Sequence, residues 1–283
     1  MTVSMTTVRM TRSLRLTLVA AVALVGLACG TKEAPGPLEP TAGQGRIRFV
    51  NLITDPTRNP VNAILENVPF GVNLGYTATT PASLPSPSTA NFAPIYEGAR
   101  TLVLKRTADT SVVVATLPIT ITAGTDYTLY AVGGTGGATV TGFSVGDNNP
   151  AITAGQAKIK VTNMSPTAGA VDVFITAANA DLTTATPVVE NLGAQGAFAG
   201  VLVAPGTYSV RTVPAGTLAV DRPAAVNSTL SVTVAAGNGR TIVIADAAAG
   251  GTPLRSFALT DQQAGDRGRA TGRGAANRRA PEN

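Results

Sequence analysis

The residues able to do chemistry are few. The chain contains one cysteine, Cys29, and no histidine or tryptophan. Serine and cysteine nucleophiles that depend on an imidazole base are thereby excluded. So are histidine-ligated metals and zinc held by several thiolates. A single cysteine cannot form an internal disulfide. What remains is chemistry by carboxylate and amide oxygens. Asp147-Asn148-Asn149-Pro150 offers oxygens of the kind calcium takes. It lacks the alternating spacing and distal glutamate of a calcium loop, so a turn is the expectation. Glu97, Asp126, Asp172 and Glu190 are of the type that hydrolyses glycosides in pairs, and their spacing singles out no pair. Gly133-Gly134-Thr135-Gly136-Gly137 lacks the Lys-Ser/Thr of a phosphate-binding loop and fits a hairpin connection. The expectation is a protein with no catalytic residue, no metal and no cofactor.

The formal charge of +5 points toward nucleic acid until it is divided. Arg9, Arg12 and Arg15 precede an apolar run, and five arginines stand in the tail at 265–283. The body between Cys29 and Ala264 has 13 basic and 14 acidic residues. A nearly neutral body has no broad electrostatic footprint for nucleic acid, and none is expected as a partner. Charged residues make up only 13% of the chain and apolar ones 44%, so a packed core is within reach.

Residues 1–15 are polar and basic, and 16–28 form an apolar run of 13. That is too short to span a bilayer, which takes about 20 residues, and it fits the apolar region of a signal peptide. It ends at Gly26-Leu27-Ala28-Cys29, which resembles the lipobox of a bacterial lipoprotein. The resemblance implies that Cys29 becomes the mature N-terminus and carries a diacylglyceryl group. The membrane partner is then reached through this anchor. The resemblance implies the outer membrane in a Gram-negative cell and the outer face of the plasma membrane in a Gram-positive one. Residues 29–44, rich in proline and glycine, form a solvated spacer.

The body is patterned twice. Gly45-Arg46-Ile47-Arg48-Phe49-Val50-Asn51 matches Ala157-Lys158-Ile159-Lys160-Val161-Thr162-Asn163 at an offset of 112. Ile119-Thr120-Ile121-Thr122-Ala123-Gly124 matches Val232-Thr233-Val234-Ala235-Ala236-Gly237, and Phe143–Asp147 matches Phe257–Asp261, at offsets of 113 and 114. Period-two alternation predicts strands near 46–51, 61–65, 91–96, 101–106, 111–121, 127–132 and 138–145. The second set lies near 158–163, 171–176, 196–203, 207–213, 229–234, 240–245 and 253–259. No sustained helical stripe occurs. The expected fold class is all-β: two tandem immunoglobulin-like β-sandwiches, at 45–150 and 151–263. A single barrel of about fourteen strands is the rival. Residues 77–89 form a Pro/Ser/Thr-rich insertion, and 264–283 an Arg/Gly-rich tail expected to be disordered.

Asn163-Met164-Ser165-Pro166, Val171-Asp172-Val173-Phe174, Ala204-Pro205-Gly206-Thr207-Tyr208 and Ala236-Gly237 resemble the bacterial domain-of-unknown-function family 4397. The first half keeps Asn51, Asp55-Pro56, Val61, Gly98 and Ala123-Gly124-Thr125-Asp126-Tyr127-Thr128. The likeness covers about 45–262. It implies an envelope β-domain, often in tandem, without an assigned activity. The function expected is a non-catalytic structural or interaction module of adhesion type, contacting a protein or glycan partner. The alternative is a carbohydrate-binding or carbohydrate-cleaving envelope protein, against which the scarcity of aromatics counts.

Overall fold

The computed structural model describes residues 43–81 and 92–262, and more than half of these lie in strands, with only short 3₁₀ turns as other regular structure among the described residues. Cys29, the leader, residues 29–42 of the spacer, 82–89 of the insertion and the tail at 264–283 lie outside the described residues. The first half contains β1 (Gln44–Ile53), β2 (Val61–Leu65), β3 (Val68–Leu74), β4 (Thr79–Thr80), β5 (Ala93–Tyr96), β6 (Gly98–Arg106), β7 (Asp109–Ile121), β8 (Asp126–Gly133) and β9 (Val140–Asp147). The second contains β10 (Ala157–Asn163), β11 (Val171–Thr176), β12 (Val189–Leu192), β13 (Gly196–Val203), β14 (Gly206–Pro214), β15 (Ser228–Val234), β16 (Gly239–Ala245) and β17 (Arg255–Gln262).

They form four sheets. The first has the order β4-β1-β8-β9, with β5 also pairing β1, and the second the order β3-β2-β6-β7. The third is β13-β10-β16-β17 and the fourth β12-β11-β14-β15. In the first and third sheets the central pair is parallel: β1 with β8, and β10 with β16. Parallel neighbours need a crossover between them. Between them the chain builds the opposing sheet, from β2, β3, β6 and β7 or from β11, β12, β14 and β15, and on the way lays β4 and β5, or β13, against the first strand.

The strands the sequence predicts are present. Ile119 and Ile121 are buried while Thr120 and Thr122 face solvent, as their alternation requires. Three further strands appear. β3 contains Pro69 and Gly71, which weaken a strand reading. It lies at the edge of its sheet, where a missing N–H is tolerated. β4 and β12 are too short to show a period.

The interior is layered. Phe49, Ile53, Leu102, Leu104, Leu117 and Leu129 fill the space between the first and second sheets. Ile159, Val161, Val173, Val210, Ile242 and Ile244 fill that between the third and fourth. A third apolar layer lies between the first and third sheets. Val50, Leu52, Tyr130 and Val132 there meet Met164, Val243, Ala245 and Leu259. Two sandwiches each closed on its own core would leave the outer faces of the first and third sheets in water, and here those faces are covered. β1 and β10 each bury both of their faces, and the sheets stack in the order second, first, third, fourth.

Asn51 and Asn163 close β1 and β10 in the same way. The Asn51 amide donates to Leu74 O, and that of Asn163 to Gly169 O and Leu192 O. Their side-chain oxygens accept from Ile53 N and Ser165 N. Each ties the first crossover of its half back to the strand it leaves.

Candidate functional site

The face of β1 that meets the third sheet reads Arg48, Val50, Leu52. That of β10 which meets the first reads Lys160, Thr162, Met164. The two cations therefore enter the layer between the sheets, and both are buried. Arg48 is 1% exposed, so an uncompensated charge there would be prohibitive. It is compensated by Asp261 of β17, with Nη2 to Oδ1 at 2.9 Å. Arg48 also donates to Thr128 Oγ1 at 2.8 Å and to Thr260 O at 2.9 Å. Its guanidinium lies 4.3 Å from the centre of the Phe92 ring.

Lys160 makes the reciprocal connection. Its ammonium reaches Asp147 Oδ2 of β9 at 2.9 Å and Asp261 Oδ2 at 2.9 Å. It donates as well to Asn149 Oδ1 at 2.7 Å. Thr241 Oγ1 donates to Asp261 Oδ2 at 2.6 Å. Each cation of one half thus pairs with a carboxylate on the last strand of the other, the pattern of a two-fold interface. Burial alone would raise the Asp261 carboxyl. Arg48 and Lys160 beside it outweigh that and hold it below its ordinary range. The Tyr130 hydroxyl, fully enclosed nearby, is pushed up by burial.

Asn149 links this cluster to a third pair. Its Nδ2 donates to Asp126 Oδ2 at 2.6 Å. Asp126 also accepts a two-pronged bond from Arg46, through Nε and Nη2, each at 2.6 Å. Asn149 N donates to Asp147 Oδ1 at 2.7 Å, so the 147–150 segment is a turn, as its sequence predicts. It is also a member of the cluster, which its sequence does not reveal. Gln262 Nε2 donates to Asn149 O at 2.5 Å and closes the far side.

Beside the cluster, between the two sheets, is a cavity of about 430 Å³. Phe92, Tyr130, Thr162, Phe198, Lys158 and Lys160 are among its lining residues. Gly200 of β13 lies against the lysine stems in a left-handed conformation, φ +101°. A Cβ there would stand 2.7 Å from Lys160 Cγ and 3.1 Å from Lys158 Cε, so only glycine lets both stems lie along β13.

The other carboxylates singled out from the sequence are dispersed. Glu97 accepts from Gly43 N at 3.0 Å. Asp172 accepts from Asn191 N at 2.8 Å. Asp172 and Glu190 share the wall of a second, shallow cavity of about 490 Å³ with Arg222, some distance in sequence from Asp126. Gly133 to Gly137 join β8 to its antiparallel neighbour β9, as a hairpin connection. Cys29 lies outside the described residues.

The profile of a family described as a domain of unknown function (DUF4397) matches residues 59–174. No curated protein is similar to the chain in sequence. Among solved structures, the chain is similar to family 41 carbohydrate-binding modules from streptococcal virulence factors. Identity is 10% and the TM-score 0.24, over 72% of this chain and 94% of that one. It is similar to a family 26 carbohydrate-binding module of Eubacterium rectale Amy13K at 12% identity and a TM-score of 0.21, over 75% and 96%. It is also similar to a candidate cell adhesion protein of Bacteroides ovatus at 10% identity and a TM-score of 0.21, over 78% and 98%.

Proposed function

We propose that the chain is an exported, lipid-anchored protein of the bacterial cell envelope, whose two tandem β-sandwich units at 45–150 and 151–263 form a non-catalytic interaction module. One observation carries the non-catalytic part. The ionisable groups Arg48, Asp261 and Lys160, all buried, and the part-buried Asp147 are engaged with one another across two sheets. Groups bound this way hold sheets together, whereas an acid or base for catalysis must be within reach of a substrate proton. The tandem reading is supported by the equivalence of Arg48 with Lys160, and of Asp147 with Asp261, in strand position and in partner. The DUF4397 match itself covers residues 59–174. Contacts with a protein or glycan partner fall to the loops and sheet edges, where unpaired backbone groups are available.

The anchor rests on Cys29 and the apolar run before it. Several acyl chains together hold a protein stably, at about 0.8 kcal/mol per buried CH₂, where one chain is marginal. Cys29→Ser is expected to move the protein from the membrane fraction to the soluble fraction of the cells that make it. Unchanged sedimentation with membranes would refute the anchor. A hydrolase screen on the purified protein tests the remaining part, and turnover of a glycan would overturn it.

A further inference from the structure

The two halves of the seam differ beside Arg46 and Lys158, and there the difference leaves a cation without a partner. Arg46 on β1 and Lys158 on β10 hold the same place, 112 residues apart. In the parallel register Arg46 stands beside Asp126, and the two form the fork described above. Lys158 stands beside Gly239, which has no side chain. Among the described residues the Lys158 ammonium has neither an acidic partner nor a hydrogen-bond acceptor. The three carboxylates lining the cavity, Asp126, Asp147 and Asp261, are matched by Arg46, Lys160 and Arg48. Lys158, which lines the same cavity, is the surplus charge.

We infer that the cavity takes a small organic carboxylate. Its carboxyl group pairs with Lys158, and its apolar body lies against Val145 and Ala197 of the cavity wall. Each feature of the wall suits such a ligand. The Lys158 stem lies beside Gly200, and the residue lines the cavity. The hydroxyls of Thr162 and Tyr130 stand 3.4 Å apart on the wall beside it. The acids of the lining are already neutralised, so they do not repel an anion. Capture of this ligand is independent of the Cys29 anchor.

Benzoate is a suitable probe, with benzyl alcohol as its uncharged counterpart. Calorimetric titration of the purified protein is expected to show saturable binding of benzoate, one per chain, and none of benzyl alcohol. Lys158→Gln removes the cation. Gly239→Asp supplies the missing acid from the chain itself, at a position where an added Cβ meets nothing closer than 3.5 Å. Each is expected to weaken benzoate binding about tenfold or more, the loss expected for one charge-assisted hydrogen bond. Thermal midpoints within a few degrees of the unsubstituted protein would show both variants folded, and Gly239→Asp stands as the check should Lys158→Gln fail to fold. No saturable benzoate binding, equal binding of benzyl alcohol, or undiminished affinity in the folded variants would overturn the inference.

Discussion

Asp261→Asn is expected to destabilise the protein by about 3–5 kcal/mol, because it leaves Arg48 and Lys160 buried with their shared carboxylate removed. Asp261 is 1% exposed and accepts from Arg48, Lys160 and Thr241. The asparagine amide would present two donors to two cations. Against the roughly 5–15 kcal/mol that holds a domain folded, the loss is large. Chemical denaturation of the purified variant measures it. A companion variant separates charge from packing. Arg48→Met combined with Asp261→Leu removes one cation with the carboxylate, leaves Lys160 to Asp147, and fills the same space with apolar atoms. It is expected to recover most of the loss, since replacing a buried pair by apolar residues is often close to neutral. A loss below about 1 kcal/mol in Asp261→Asn, the range of an exposed pair, would show that the seam is wet.

The same carboxylate sets a pH dependence whose sign is fixed. The Asp261 carboxyl is held below its ordinary value of 3.8 in the folded chain. On acidification the unfolded chain therefore takes up this proton first. The stability the group contributes is complete above pH 3.8 and is lost as pH falls through the folded value. Denaturation midpoints measured between pH 6 and pH 2 are expected to fall more steeply at the acid end in the unsubstituted protein than in Asp261→Asn. Equal slopes would show that the carboxyl is not held down.

What the amino-acid order made legible depended on how far away a residue's partner lies. Alternation within β7 predicted which of Ile119, Thr120, Ile121 and Thr122 is buried, because one strand's pattern is enough to mark a face. Arg48 could not be read that way. A cation between apolar residues in a strand is most simply placed in water, and its burial depends on a carboxylate 213 residues later. One local signal was available: Val50 and Leu52 follow Arg48 on the same face, and Met164 follows Lys160. An apolar run beside a cation on each of two matching strands implies that those faces meet something. The turn at 147–150 was legible from its residue types. Its place in the charge cluster was not, because that comes from Lys160 on the facing sheet. β3 is not legible in the sequence, since Pro69 and Gly71 break its period and its pairing with β2 carries two register shifts.

Leu52→Ala tests whether the shared layer makes the two halves one cooperative structure. Leu52 is 2% exposed and lies in the layer formed with Met164, Val243 and Ala245. Truncating a buried leucine costs about 2–5 kcal/mol, depending on how far the surroundings close the gap. If the halves fold independently, that cost stays in the first half. If the layer couples them, the cost reaches residues that Leu52 does not touch. Val210 and Val232 are suitable reporters, since they line the interior between the third and fourth sheets. Val210 is paired on both sides, by β11 and β15, and Val232 lies on β15 at the sheet edge; the Val210 amide above all is expected to exchange with solvent only when the whole unit opens. In Leu52→Ala their hydrogen exchange should then quicken by about tenfold or more, as 1.4 kcal/mol corresponds to a factor of ten. A single denaturation transition should move to lower denaturant with its slope unchanged. Two transitions, or unchanged exchange at Val210 and Val232, would mean that the charged seam and the apolar layer beside it join the halves too weakly to couple their unfolding.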